Sequence, residues 1–345
     1  MKKMNKVKTD QSHMVFFKNN SPEKILGSEL GKKYDSYRES WNRASKGELV
    51  SNFPIHLTFE LFYGCNFRCP MCILSVPLKK RFYKEEPRKK INFEKYCEII
   101  DEGVKNDLSS VQLSGTNEPL LLKDIAKYIR YAKKAGVIDI YIITNASLLT
   151  PEKSREMIEA GLTQIKFSVD SINKETYEKI RVGGNFEQTM ENINEFLDIK
   201  KAMGRKLPVT RVSFVKTKQN IDEVDAFVNY WTDKVDYVTT QELFNPFDGE
   251  KSSEFENSYR ADSTVLDKCY LPYQRAFVRN NGDILPCCSI FGIEIPVGNI
   301  YKNSIYEIWN SKDMAELRIN VNGPADAIPL ACNKCRKGVE NKEAA

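Results

Sequence analysis

Three cysteines stand within eight residues, at Cys65, Cys69 and Cys72. Three thiolates can bind three irons of a cubane cluster and leave the fourth iron without a protein ligand, as a Lewis-acid site for a chelating molecule. The alternatives are a structural zinc site and inert buried thiols. Zinc usually takes four ligands, and the two histidines of the chain, His13 and His56, are badly placed to complete such a set. The spacing therefore favours an iron–sulfur cluster.

Four further cysteines lie in the C-terminal part of the chain, separated by 17, 44 and 2 residues. A β-hairpin is expected between them, around Asn281 and Gly282. Four spread thiolates suit one metal centre, and both iron and zinc accept them, so spacing alone leaves the metal open. Cys288 is either a spare thiol or an alternative ligand, and Cys97, on an amphipathic helix, is interpreted as a small buried hydrophobe. The four are Cys269, Cys287, Cys332 and Cys335.

The elements that must position these cysteines alternate between strand and helix. From Pro54, apolar and polar residues alternate as in a strand that runs directly into Cys65. Five more strands follow, and alternation with helices is typical of right-handed crossovers and a parallel sheet. We predict an α/β fold with a partial (β/α)6 TIM-like barrel, whose ligands gather at the C-terminal ends of the strands. The predicted strands are residues 110–115, 139–144, 164–169, 209–215 and 235–240, and the predicted helices are residues 93–105, 123–134, 186–203, 222–231 and one from Pro151.

The chain divides into five predicted segments. The first is polar and partly helical, with aromatic residues Tyr34, Tyr37 and Trp41 that we expect to pack against a larger body. The fourth is a small α+β module around the C-terminal cysteines. The segments are an N-terminal extension (1–50), the barrel (51–245), a linker or active-site loop (246–268), the cysteine module (269–338) and a tail (339–345). Residues near the loop that are candidates to face a substrate are Glu242, Asp248 and Arg275.

The segment from Gly64 to Cys72 resembles the hallmark of the radical S-adenosylmethionine (SAM) superfamily, in which three cysteines with this spacing follow the first barrel strand. The likeness extends from about Phe53 to Lys337. It implies that the open iron binds the amino and carboxylate groups of SAM, and that an electron from a donor such as flavodoxin or ferredoxin cleaves the sulfonium. The resulting 5'-deoxyadenosyl radical would then abstract hydrogen from a substrate. Met71 stands where the family often has an aromatic residue near adenine.

Two further segments resemble parts of the family's SAM site. Ser114 to Leu120 is similar to the glycine-rich segment ending in Glu-Pro, which implies that Gly115 and Glu118 meet the SAM ammonium. The alternative for Glu118 is an acid at the start of the next helix. Thr144 to Ser147 resembles the Thr-Asn-Gly turn, which implies that Asn145 shapes the cleft.

A third segment, Phe167 to Ser171, resembles the one whose serine helps to hold the SAM carboxylate, with a basic partner from an Ile-Arg-Gly-like segment. The resemblance therefore implies that Ser168 and Arg181 bind that carboxylate, for which the planar fork of arginine is suited. The alternatives are a solvated helix end for Arg181 and a cap of the next segment for Asp170.

The C-terminal cysteines, with Pro272, Gly282 and Trp309, resemble a twitch or SPASM domain. Four cysteines fit the smaller twitch form, which implies one fully ligated auxiliary 4Fe-4S cluster, whereas a full SPASM domain brings seven cysteines and two clusters. A fully ligated cluster would pass electrons rather than chelate substrate, which favours dehydrogenation of a sugar-like or other small molecule. The alternatives are epimerisation or crosslinking of a ribosomal peptide and, outside catalysis, a metal-stabilised scaffold or sensor.

Composition excludes several other classes. The formal net charge is +5 over 345 residues, with basic residues scattered among nearly as many acids, so nucleic-acid binding gains no support. The basic start, MKKMNKVK, lacks a following apolar h-region and is interpreted as a frayed terminus. The chain lacks a run of about 18 apolar residues, which predicts no membrane span. Nine cysteines without an export signal argue against disulfides and predict a cytoplasmic protein.

Overall fold

A computed structural model of the chain describes residues 4–8, 13–75, 90–243 and 268–337. Strands from the whole length of the chain join one sheet. They are β1 (Asn5–Lys8), β2 (His13–Phe17), β3 (His56–Phe59), β4 (Ser110–Gln112), β5 (Asp139–Thr144), β6 (Gln164–Ser168), β7 (Val209–Lys216), β8 (Tyr237–Glu242), β9 (Arg275–Val278), β10 (Asp283–Leu285) and β11 (Gly298–Asn299).

The centre of the sheet is a run of parallel strands. The strand order is β1-β2-β8-β7-β6-β5-β4-β3-β9-β10-β11, and neighbours from β3 to β8 are parallel. This confirms the predicted α/β class with six parallel strands. β9 adds a further parallel strand beside β3, and the expected hairpin continues from it as antiparallel β10. The cysteine module therefore extends the barrel sheet instead of standing apart from it.

Helices follow the strands in the predicted alternation, and none in the described part of the chain is long and apolar enough to cross a bilayer. The helices predicted over residues 93–105 and 186–203 form within one residue of those bounds. The helices are α1 (Pro22–Leu30), α2 (Lys32–Ala44), α3 (Phe93–Lys105), α4 (Ile125–Ala135), α5 (Pro151–Ala160), α6 (Lys174–Ile180), α7 (Phe186–Ala202), α8 (Val224–Trp231), α9 (Leu271–Gln274), α10 (Ile305–Trp309), α11 (Lys312–Asn320) and α12 (Leu330–Lys337).

Local sequence explains where these helices start. Asn92 precedes α3, and its side chain accepts a hydrogen bond from the Lys95 N–H at 2.8 Å. Thr150 caps α5 in the same way, with Pro151 in the first turn, where a missing N–H costs nothing. Capping side chains thus fix where these two helices begin.

Alternation along the strands separates the two faces of the sheet. In β3, Leu57 and Phe59 are fully buried in the main core with residues of α3, whereas His56 and Thr58 face the other side. That other side is the concave interior of the partial barrel. Its N-terminal end is covered by α2, where the Trp41 ring meets the His56 ring edge-to-face at 6.1 Å.

The N-terminal segment is partly as predicted. Tyr34 and Tyr37 of α2 are buried against the N-terminal end of the barrel, which confirms that these aromatic residues pack on a larger body. The interpretation of the start as a frayed terminus is wrong for residues 5–8, because they form β1, paired with β2. β2 in turn pairs with β8, more than two hundred residues later, a contact that a local pattern cannot reveal.

Candidate functional site

The three-cysteine loop follows β3 at the C-terminal edge of the parallel strands. Cys69 is buried, whereas Cys65 and Cys72 are partly exposed. The Arg68 N–H donates to the Val182 carbonyl at 2.7 Å, and its guanidinium donates to the Cys65 carbonyl at 2.6 Å. A Cβ at Gly184 would lie 2.9 Å from the Phe67 ring. Residues 182–184, which overlap the segment 180–183 predicted to belong to the site, therefore support the cysteine loop.

Hydrogen-bond donors point at two of the sulfurs. The Phe67 N–H lies 3.4 Å from Cys65 Sγ, and Asn145 Nδ2 lies 3.9 Å from the same sulfur. Arg181 Nη1 donates to Cys69 Sγ at 3.8 Å. Such donors favour the thiolate form of cysteine, which is the form that binds iron. The loop therefore fits a cluster held by anionic sulfur.

Burial shifts the pKa values of two thiols of this loop. It raises the pKa of Cys65 and raises that of Cys72 to about 11, so metal binding would displace protons. Among the described residues, three or more His, Cys, Asp or Glu side chains do not converge on a single ion. A zinc site needs all its ligands at about 2.3 Å from one point, whereas each thiolate of a cubane binds a different iron.

Glu118 is a buried hub between neighbouring loops. Its Oε1 accepts hydrogen bonds from the Leu120 N–H at 3.0 Å and the Thr144 hydroxyl at 2.7 Å, and its Oε2 accepts the Asn145 N–H at 2.8 Å. Burial raises the pKa of the carboxyl, and these donors oppose the shift. The alternative prediction, an acid at a helix start, describes part of this geometry, since Glu118 caps the 3-10 turn Pro119–Leu121. A carboxylate has about four acceptor sites, so one remains for an ammonium.

The turn after β5 takes the conformation for which glycine is suited. Ala146 has φ 61° and is completely buried, at the position where the resembled Thr-Asn-Gly turn has glycine. Asn145 Oδ1 accepts the Ser147 N–H at 3.0 Å, and Asn145 Nδ2 donates to Asn66 Oδ1 at 3.0 Å. Asn145 thereby connects the turn to the cysteine loop, and its role in shaping the cleft stays a prediction.

Arg181 forms an ion pair with Asp170 inside the protein. The Asp170 side chain is fully buried and that of Arg181 is 13% exposed, so the alternative of a solvated helix end is wrong. Asp170 also accepts the Val215 N–H at 2.8 Å, so it anchors neighbouring segments rather than capping the next helix, whose cap is Asn173. Complete burial raises the pKa of Asp170, an effect that the Arg181 guanidinium opposes. The pair holds a cation beside Cys69.

The remaining predicted SAM contacts lie at the same edge. Ser168 ends β6 and Met71 precedes Cys72, and both are partly exposed. A Cβ at Gly115 would lie 2.7 Å from the Phe277 ring, so glycine permits a close approach of two strand ends there. Two buried donors at this edge, Asn117 Nδ2 and Arg181 Nε, lack a partner among the described residues. Orphaned donors fit a ligand that carries a carboxylate, as SAM does.

The C-terminal cysteines are drawn together by β10 and α12. Cys332 and Cys335 lie one turn apart on α12, and Cys335 Sγ is 3.3 Å from Ser289 Oγ. Burial raises the pKa of Cys287 well above its usual value, and the nearby thiols of Cys288, Cys335 and Cys269 raise it further. Thus three of the four predicted ligands share one neighbourhood, and α12 carries the fourth.

Apolar side chains join this cysteine module to the first cysteine loop. Ile290 and Ile293, from the 3-10 turn after Cys287, pack in one cluster with Ile73 and Leu74, which follow Cys72. The two cysteine groups therefore lie on segments that contact each other.

The other candidate residues have different environments. Cys97, expected to be buried, packs against the main core but is only partly buried. Cys288 is exposed, and its Sγ accepts a hydrogen bond from Arg275 Nη1 at 3.6 Å. Glu242 pairs with Lys216 at 2.7 Å, and Asp248 lies outside the described residues.

Sequence reasoning overlooked charged residues that face the barrel interior. Lys166 stands between Ile165 and Phe167 in β6, and Arg211 stands between Thr210 and Val212 in β7. A charge in the middle of an otherwise apolar strand was the available signal, because alternate residues of a barrel strand face the interior.

Comparison with known families gives two matches. The model of the Radical SAM superfamily matches residues 59–230, and that of an iron-sulfur cluster-binding domain, SPASM, matches residues 269–336. Together they contain both cysteine groups.

Three known proteins illustrate the likeness. The GTP 3',8-cyclase of Alkaliphilus oremlandii is 31% identical over 49% of this chain, which spans only half (50%) of the relative's length. The tungsten-containing aldehyde ferredoxin oxidoreductase cofactor-modifying protein of Pyrococcus furiosus is 25% identical over 74% of this chain and 81% of its own. The crystal structure of Streptococcus suis SuiB bound to S-adenosylmethionine has a TM-score of 0.58 and 14% identity, covering 92% of this chain and 91% of that one. At this identity the last likeness concerns the fold.

Proposed function

Since the chain belongs to the radical SAM superfamily and carries a C-terminal iron-sulfur cluster-binding domain, we propose that it dehydrogenates an alcohol group of a sugar-like or other small molecule. Membership implies a SAM-binding 4Fe-4S cluster, an auxiliary cluster and SAM as cofactors. The reaction, the substrate class and the ligand assignments below belong to the proposal, as do the segment boundaries and the cytoplasmic location.

The first cluster would be held by Cys65, Cys69 and Cys72. When bound with SAM, it supplies the electron that generates a radical able to take a hydrogen atom from the substrate. The chain's part is to fix the loop and its electrostatics. Asn145 and Arg181 direct donors at the sulfurs, at 3.9 and 3.8 Å respectively, and stabilise their negative charge.

SAM would lie along the C-terminal ends of β4 to β6. The buried donors Asn117 Nδ2 and Arg181 Nε are available for its carboxylate, and the fourth acceptor site of Glu118 is available for its ammonium. Ser168, which is half-buried, lies at the C-terminal end of β6. These groups orient the cosubstrate, while the covered N-terminal end of the barrel keeps bulk water from that side.

The observation that carries the dehydrogenation proposal is the second cysteine group and its contact with the first loop. Four thiols, Cys269, Cys287, Cys332 and Cys335, would fill the iron sites of one auxiliary cluster, so this cluster would exchange electrons and leave substrate binding to side chains. The balance is an alcohol plus SAM giving a carbonyl compound, 5'-deoxyadenosine, methionine and one proton. Because the substrate loses two electrons and SAM accepts two, no further oxidant is required.

The basic test is formation of 5'-deoxyadenosine by anaerobically reconstituted protein with dithionite and SAM. We expect Cys65→Ala to abolish it and Cys97→Ala, a cysteine outside both groups, to leave it unchanged. Product formation by Cys65→Ala at the wild-type rate, or none by the wild type, would favour the metal-stabilised scaffold or sensor. In the cell, a flavodoxin or ferredoxin would replace dithionite.

The second test separates dehydrogenation from peptide modification. Enzyme reduced beforehand and freed of dithionite is mixed with SAM and either a panel of sugars and aminocyclitols or synthetic peptides, each deuterated at candidate carbons. We expect deuterium in 5'-deoxyadenosine and one carbonyl product per 5'-deoxyadenosine from a member of the small-molecule panel. Deuterium transfer only from a peptide, with an epimerised or crosslinked product, contradicts the proposal.

A further inference from the structure

Three cations stand on the concave face of the barrel: Lys166 in β6, Arg211 in β7 and Arg275 in β9. Their orientation follows from strand alternation, because Ile165 and Phe167 on either side of Lys166 are completely buried in the core against the helices. All three residues are partly exposed. The interior therefore has a strongly basic wall.

The first two cations are direct neighbours. Lys166 and Arg211 are paired residues in the parallel register of β6 and β7, and neighbouring strands lie about 4.8 Å apart. Lys166 Nζ lies 3.7 Å from the centre of the Tyr141 ring. Burial lowers the pKa of Lys166 well below its usual value, and the charges of Arg211 and Arg275 lower it further. The cations thus repel one another in a poorly solvated space.

Among the described residues, one acid opposes these charges at Lys166. The acid that acts on Lys166 is Asp139, and its carboxylate already accepts hydrogen bonds from the Thr163 hydroxyl at 2.5 Å and the Gln164 amide at 2.9 Å. Arg211 Nε is buried and lacks a hydrogen-bond partner among the described residues. Buried donors in native proteins are nearly always satisfied, so an unpaired guanidinium nitrogen beside another cation points to an anionic ligand.

We propose that Lys166 and Arg211 bind an anionic oxygen group of the substrate, a phosphate ester or a carboxylate. This inference rests on the proposed function and specifies its substrate class. Arginine offers a planar fork to such a group and lysine adds a compact point charge, a combination that suits tetrahedral and planar oxyanions. Arg275 lies in β9, on the far side of β3 from β6 and β7, and adds a third cation to the basic wall.

The position fits a compact substrate. Lys166 lies two residues before Ser168, or about 7 Å deeper in the barrel than the end of β6. The N-terminal end is closed by α2, where the Arg275 guanidinium lies 4.8 Å from the Trp41 ring. A molecule that enters from the C-terminal ends of the strands would place its anionic group against Lys166 and Arg211 and its reacting carbon near SAM.

Anion binding is tested on reconstituted holoenzyme with SAM and without reductant, so that no turnover occurs. Isothermal titration calorimetry with inorganic phosphate, and separately with acetate, is performed in low-chloride buffer. We expect one site per chain, weakened about tenfold or more by Lys166→Met and by Arg211→Met. The matched control is Lys127→Met, because Lys127 Nζ also lies 3.7 Å from a ring centre, that of Phe93, but on the outer helix α4. Iron content and circular dichroism of each variant report whether it is folded.

The outcomes are distinct. Tighter binding of phosphate assigns a phosphate ester, and tighter binding of acetate assigns a carboxylate. The inference is overturned if neither anion binds, if folded Lys166→Met and Arg211→Met bind as the wild type does, or if Lys127→Met loses as much affinity as they do. A wild type that binds phosphate at this site but forms no 5'-deoxyadenosine on reduction would refute the proposed function and leave the anion site standing.

Discussion

Replacing Asp170 by asparagine is expected to lower the free energy of unfolding of the metal-free protein by about 3–5 kcal/mol. The size of this loss follows from burial, since the Asp170 side chain is 0% exposed and that of its partner Arg181 is 13% exposed. Asparagine keeps an acceptor for the Val215 N–H and tolerates the φ of 67° at this position, so the backbone is not the cause. What changes is that Arg181 becomes a buried cation without its counter-charge.

The measurement is urea unfolding under argon with reductant, followed by far-UV circular dichroism. The control is Glu187→Gln, which removes an acid from the exposed Lys174–Glu187 pair, with side chains 54% and 60% exposed. That change is expected to cost less than about 1 kcal/mol, because water screens exposed pairs. A loss below about 1 kcal/mol for Asp170→Asn, or a loss equal to that of the control, would refute the view that Asp170 holds Arg181 beside the cysteine loop.

Three further changes give separate tests, each read from urea unfolding of the metal-free protein. Gly115→Ala would place a Cβ 2.7 Å from the Phe277 ring and 2.8 Å from Glu60 Cβ, and overpacking of this kind costs about 1–3 kcal/mol. Ala146→Gly is expected to stabilise the chain by about 0.5–1 kcal/mol, because alanine is strained at a φ of 61°. Glu118→Gln is expected to cost about 2–3 kcal/mol, because the amide nitrogen of glutamine would stand where a carboxylate oxygen now accepts a hydrogen bond. In the holoenzyme, the same substitution should weaken SAM binding about tenfold.

The controls for these changes use the same chain. Gly323→Ala serves for Gly115→Ala, since its Cβ would meet only ordinary contacts, the nearest at 3.4 Å from the Asn320 carbonyl oxygen. Equal effects of the two glycine substitutions would contradict the close packing of the strand ends. Destabilisation by Ala146→Gly would show that the alanine conformation is not strained, and an unchanged Glu118→Gln protein would show that the carboxylate is not a hub.

The parallel framework was predictable because its signals are local. The alternation from Ile55 to Leu61 and the apolar faces of α3 and α7 follow from residues a few positions apart, and the structure places those elements within a residue or two of the expected bounds. The pairing of β2 with β8, and of β9 with β3, joins segments far apart in the chain. Short strands give weak local signals, so these pairings were beyond reach.

The candidate site shows the same limit. The cysteine loop and the residues at strand ends could be located, because spacing and strand position determine where they lie. Which atoms they contact could not be foreseen. That Arg181 pairs with Asp170, and that Glu118 accepts three donors, depends on side-chain directions across two or three elements. The basic interior wall was overlooked because a lysine and an arginine in separate strands become neighbours only through the register of β6 and β7.

Iron and acid-labile sulfide analysis, combined with Mössbauer spectroscopy of air-free protein, shows whether the two cysteine groups bind two 4Fe-4S clusters. We expect about eight irons per chain, about four after substitution of Cys65, Cys69 and Cys72 by alanine, and about four after substitution of the C-terminal set. Addition of SAM should alter the spectrum of the wild type and of the variant without the C-terminal set, since one iron of the first cluster has no protein ligand. A single zinc ion in place of iron, or a first cluster whose spectrum SAM leaves unchanged, would contradict the assignment of two clusters with one iron open to SAM.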